Sequence, residues 1–208
     1  MDIIIKIFIS AVIIAFCGYI YFKTDRIFRL SSHKGIRSFR DAFMFFGLAF
    51  IFNIGVVAFK DYPNQVMLLM GLHIAFNYTL AMGGFLLVYS LVWKDMAADW
   101  QYVLHAAALS LAAIDFFYMR YAIFISQLAI LGYGIVVSFS SYKQGKQPMR
   151  QLLFIAIVIA FIGYAINLFS AIFSAQILWL WLFAYIITLA AFAILSLAVA
   201  KSLGGQHG

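Results

Sequence analysis

Apolar residues fall in seven runs along this chain, with no regular alternation of polar and apolar neighbours: Ile3 to Phe22, Ala42 to Phe59, Val66 to Trp93, Met96 to Phe117, Tyr121 to Ser141, Leu152 to Phe173 and Ile177 to Ala200. Each is near the ~20 residues a helix needs to cross a ~30 Å hydrocarbon core. In lipid every backbone N–H and C=O must be satisfied within its own segment or in a closed barrel, and long runs without a two-residue period select helices over strands. The pattern predicts an all-α, polytopic integral membrane protein of the cell membrane, one domain over residues 1–208 with seven transmembrane helices. The gaps around the fourth run are only a few residues long and leave no room for a soluble domain.

The polar residues between the runs give the bundle a direction. Lys23, Arg26, Arg29, Lys34, Arg37, Arg40, Lys94, Lys143, Lys146, Arg150 and Lys201 fall on one side, and Lys6, Lys60 and Arg120 on the other. Positive residues in short loops stay in the cytoplasm, so eleven against three predicts an N-terminus outside and a C-terminus in the cytoplasm. The first loop, Lys23 to about Asp41, is expected to be the longest and to lie partly on the membrane surface as an amphipathic segment. Ser38 with Asp41 fits a capping box opening the second helix, and Arg37 with Asp41 an i, i+4 pair. Arg26, Arg29, Lys34, Arg37 and Arg40 are the expected contacts to anionic lipid headgroups, each worth about 1 kcal/mol near such a surface.

Composition agrees with this picture and removes several alternatives. A chain 66% hydrophobic and 10% charged does not hide its apolar surface as a soluble domain. The net charge of +7 is accounted for by topology and lipid contact, so no nucleic-acid partner is expected. The single cysteine, Cys17, lies inside the first run and allows neither an intramolecular disulfide nor a thiolate metal cluster. Asp2 and Lys6 make a poor signal-peptide n-region and no small-x-small cleavage site follows, so the first run is read as a mature helix. His33, His73, His105 and His207 are too scattered for a zinc site. A bis-histidine haem would need His73 and His105 at one depth on adjacent helices. With no Gly-rich phosphate loop and no nucleophile placed beside a histidine and an acid, no enzyme activity, cofactor or metal is expected.

Short matches recur in order along the chain. Phe8-Ile9-Ser10 pairs with Phe124-Ile125-Ser126, Ala49-Phe50-Ile51 before Asn53 with Ala160-Phe161-Ile162 before Asn167, and Thr79-Leu80-Ala81 with Thr188-Leu189-Ala190. Two readings fit: a parallel duplication of units 1–95 and 118–208 around a linker helix 96–117, or tripeptides that apolar helices repeat by chance. The three-plus-one-plus-three plan resembles that of SWEET-type sugar facilitators and, more loosely, of rhodopsin-like seven-helix proteins. The resemblance is architectural only. Pro63 and Pro148 lie in loops where the SWEET pattern has prolines within helices, and the last helix has no mid-span lysine for a retinal Schiff base.

Charge is nearly absent from the spans. The chain has no glutamate, and its aspartates fall near predicted span ends; Asp115, the deepest, is expected to meet Arg120 across the outer turn as an interfacial ion pair. Neutral polar residues gather in the outer halves of four helices: Asn53, His73 with Asn77 one turn away, Tyr164 with Asn167, and Tyr185. One reading makes these six the ligand-binding lining of a cavity that opens outward. The other makes each an interhelical hydrogen bond, worth about 0.6 kcal/mol in membranes. Gly83-Gly84, Gly132, Gly134 and the alanines of the fourth run predict close helix packing. Two functions remain open: a facilitator for a small uncharged or weakly polar solute, or a receptor or sensor whose outer pocket is read by a separate cytoplasmic partner protein.

Overall fold

The computed structural model describes residues 3–93, 100–118, 121–144, 148–172 and 178–204. They form α1 (Ile3–Ser31), α2 (Lys34–Phe59), α3 (Val66–Val92), α4 (Trp100–Phe117), α5 (Ala122–Gln144), α6 (Pro148–Ile172) and α7 (Leu178–Gly204), with a single 3-10 turn over Pro63–Gln65. Six of the helices, α1, α2, α3, α5, α6 and α7, are long and apolar enough to cross a membrane. The chain is a multi-pass integral membrane protein. α4 is a helix of 18 residues that falls short of that apolarity, because Gln101, His105 and Asp115 interrupt its run.

α1 packs against α2 and α7, α2 against α3, α3 against α5, α5 against α6, and α6 against α7, closing a ring of six. α4 lies against α3 and α5 outside that ring. Its buried residues Leu104, Ala108, Ala112 and Asp115 recur every three or four positions and form one stripe, while Tyr102, Leu109 and Phe117 on its other faces are exposed.

Lipid tails are as apolar as leucine, so packing and hydrogen bonds, not the removal of apolar surface from water, must hold the helices together. At the centre Phe43, Phe46 and Phe50 of α2 meet Phe192 of α7 edge to face, with ring centroids 6.1, 5.9 and 6.1 Å apart. Each such pair contributes roughly 0.5–1.5 kcal/mol beyond its buried area. α3 fits against this cluster because Gly83 has no side chain; a Cβ there would stand 2.6 Å from the Phe46 ring.

The first loop differs from its expected form. α1 does not stop at the end of its apolar run but continues to Ser31, and only Ser32 and His33 separate it from α2. At 1.5 Å per residue its 29 residues span about 43 Å, well beyond the hydrocarbon core. Ser32, at φ 50°, takes the left-handed conformation that ends a helix, and its N–H donates to the Phe28 carbonyl at 2.7 Å. Ser38 is therefore no N-cap. It lies inside α2 and donates to the Lys34 carbonyl at 3.2 Å, which replaces the expected capping box.

Charges stitch the two helical extensions together. Arg40 bonds Asp25 of α1 at 2.6 Å and its neighbour Asp41 at 2.7 Å, with its guanidinium 5.5 Å from the Tyr21 ring and 5.1 Å from that of Phe28. Arg29 joins Asp25 at 2.8 Å, and Arg37 stands 3.7 Å from Asp41 as the i, i+4 spacing predicts. Arg26, Arg29, Lys34 and Arg37 are exposed, whereas Arg40 is held between the two aspartates.

Candidate functional site

Buried hydroxyls such as Thr24, Ser138 and Ser196 lie toward the basic end, whereas the amide and carboxylate side chains Asn53, Asn77, Asp115 and Gln127 lie toward the end of the bundle where α1, α3, α5 and α7 begin. There they form two clusters, one on each side of the aromatic centre.

The first joins α1, α2 and α7. α1 buries Ser10, Ile13, Cys17, Ile20 and Thr24 at alternating intervals of three and four, one face of a helix. Ser10 is the polar member of that stripe within the N-terminal half, and the Asn53 amide of α2 donates to its hydroxyl at 3.2 Å. Tyr185 of α7 lies within side-chain hydrogen-bonding range of Asn53.

The second joins α3, α4 and α5. Asp115 is 5% exposed; one carboxylate oxygen accepts from the Asn77 amide at 2.8 Å and the other from the Ile123 backbone N–H at 2.9 Å. The first N–H groups of a helix lack partners within it and carry its positive end, so a carboxylate from α4 satisfies the first turn of α5. One turn on, Gln127 donates to the Leu80 carbonyl at 3.1 Å. Gly84 makes the space for it, since a Cβ there would lie 2.6 Å from the Gln127 amide oxygen. Nearer the surface, Tyr78 and His105 share a hydrogen bond of 2.7 Å.

The six residues singled out from sequence separate. Asn53 and Tyr185 come together, whereas Asn77 turns to Asp115 on the other side of the ring. His73 is exposed, one turn before Asn77, and lines a cleft of about 320 Å³ with Lys60, Met70 and Phe116. Tyr164 packs against the core from α6, and Asn167 is half-buried on the same helix. Arg120, the expected partner of Asp115, lies outside the described residues; among those described, the ion pairs are all at the basic end. Sequence reasoning missed Ser10, Gln127 and the Leu80 carbonyl. A glutamine within an apolar run, close to the register of a Gly-Gly pair two helices away, was the available signal.

Chemically these clusters are neutral donors and acceptors around one carboxylate. Among the described residues no three His, Cys, Asp or Glu side chains gather in a way that could hold a metal ion. Compared with protein-family models, with curated proteins and with solved structures, the chain matches none. The class that fold and site define is a polytopic helical membrane protein with polar groups set between its helices.

Proposed function

We propose that the protein is a facilitator for a small uncharged or weakly polar solute, with its N-terminus outside, built from two three-helix units, α1–α3 and α5–α7, that α4 joins. The observation that carries this reading is the order of neighbours in the ring. Exchanging α1–α3 for α5–α7 turns the contact of α3 with α5 into that of α7 with α1, as expected of two units related by duplication. The α3–α5 seam has a neutral hydrogen bond toward the N-terminal face, Gln127 with the Leu80 carbonyl, and beside the α7–α1 seam Asn53 of α2 donates to Ser10 of α1 and lies near Tyr185 of α7. Between them Phe43, Phe46, Phe50 and Phe192 fill the centre, and rocking of the units about this plug would open one face and then the other. The orientation rests on the clustering of Lys23, Arg26, Arg29, Lys34, Arg37, Arg40 and Lys201 at one end.

A second reading, the sensor, is favoured by the His73 cleft at one end and the exposed Arg26, Arg29, Lys34 and Arg37 at the other, where a cytoplasmic partner would dock. Uptake of neutral solutes such as glycerol, pentoses and hexoses into liposomes containing the purified protein separates the two. The facilitator predicts saturable flux at least roughly tenfold above protein-free liposomes for one of them. Solute binding with no flux would leave the sensor.

A further inference from the structure

Between α1 and α7 runs a groove of about 570 Å³ with an almost wholly apolar lining that includes Phe16, Tyr19, Ala193 and Leu197. Tyr19 is 40% and Leu197 58% exposed, so this side of the ring faces the bilayer and not the aromatic centre. Apolarity alone would suit any lipid tail. The charges at one end of the groove select among lipids.

Lys23 follows Tyr19 by one turn, with its ammonium 5.9 Å from the centre of the Tyr19 ring. Lys201 follows Leu197 by one turn and is exposed in the last turn of α7. Side chains four apart share a helix face, so both lysines stand on the stripes that line the groove. Lys23 is about 30 Å along α1 from Ile3 and Lys201 about 35 Å along α7 from Leu178, at 1.5 Å per residue. Both therefore reach the edge of a ~30 Å hydrocarbon core, the level of lipid phosphates. Among the described residues neither is in an ion pair, and the nearest carboxylate in sequence, Asp25, is taken by Arg29 and Arg40.

We infer that this groove binds one anionic phospholipid, with an acyl chain along α1 and α7 and its phosphate between Lys23 and Lys201. A second copy of the chain suits the face less well. A two-fold interface sets a patch against itself, which would bring these lysines against their own copies.

The test is native mass spectrometry of the full-length protein released from nanodiscs of equal palmitoyl-oleoyl phosphatidylglycerol and phosphatidylcholine. The expected result is one retained phosphatidylglycerol per chain. In Lys23→Gln/Lys201→Gln its preference over phosphatidylcholine should fall about 25-fold, since each lysine counts for roughly a factor of five near an anionic headgroup. Ala193→Phe, which fills the groove and keeps both lysines, should also lose the retained lipid, and its thermal unfolding in detergent checks that it is folded. Equal retention of the two lipids by the natural chain, an unchanged preference in the lysine variant, or chains paired through this face would each overturn the assignment.

Discussion

Where α3 meets α5, the helices approach so closely that Gly84 has no space for a Cβ beside Gln127, and α4 covers the junction with Asp115 fixed to both helices. Where α7 meets α1, polar contacts through Asn53 hold the N-terminal half, and a groove of about 570 Å³ opens beside it. The ring contacts are equivalent in order and differ in construction. In lipid, close packing at small residues and satisfied interhelical hydrogen bonds each draw helices together. The α3–α5 seam has both at Gly84 and Gln127 along with a covering helix, and opens only further along, in a smaller cleft of about 340 Å³ beside Leu104 and Tyr133. The α1–α7 seam carries the larger groove.

The contrast is broken most strongly by adding volume to each seam. Gly84→Val drives carbon into Gln127, which is 1% exposed and moves only by giving up its bond to Leu80. A loss of about 3 kcal/mol is expected from overpacking together with the lost hydrogen bond. Ala193→Val points into the open groove and should change stability by less than about 0.5 kcal/mol. Thermal unfolding of both variants in one detergent makes the comparison, and equal losses would mean that the two seams are packed alike.

Removing the cover comes next. Asp115→Ala leaves the Asn77 amide and the first turn of α5 without their acceptor, a loss of about 2 kcal/mol. Asp115→Asn keeps an oxygen for Ile123, and a flipped Asn77 can accept from the new amide, so it should lose only about 1 kcal/mol. Amide hydrogen exchange around Ile123 gives a local readout. It should quicken in the alanine variant and stay slow in the asparagine one.

Much of this arrangement can be read from the chain, and what cannot be read has a physical cause. Each apolar run became a helix because backbone groups in lipid have no other partners. The end of α1 was placed too early because apolarity marks where hydrocarbon stops, whereas the helix is ended by Ser32 and prolonged by Asp25 pairing with Arg29 and Arg40. Gly83 and Gly84 were legible as sites of close approach, but not that they face Phe46 and Gln127. Gly132 and Gly134 carry the same signal yet meet neighbours only at 3.4 Å or more. Asp115 lies 38 residues from Asn77, and in helices apolar on every face no periodicity gives the rotation that turns one toward the other. The single-cavity reading of Asn53, His73, Asn77, Tyr164, Asn167 and Tyr185 had no means of fixing that rotation.

The smallest effects test whether the seams act separately. Gln127→Leu removes a donor from a carbonyl that belongs to the α3 ladder, and Tyr185→Phe removes the hydroxyl near Asn53, so each should cost about 0.6 kcal/mol. The two sites share no side-chain partner, and in the double variant the losses should add to within about 0.5 kcal/mol. A coupling above about 1 kcal/mol would mean that loosening one seam shifts the other, with α1–α3 and α5–α7 moving as rigid bodies between two arrangements. Additivity together with an unequal response to Gly84→Val and Ala193→Val would keep the two seams distinct, one packed tight at Gly84 and the other open at Ala193.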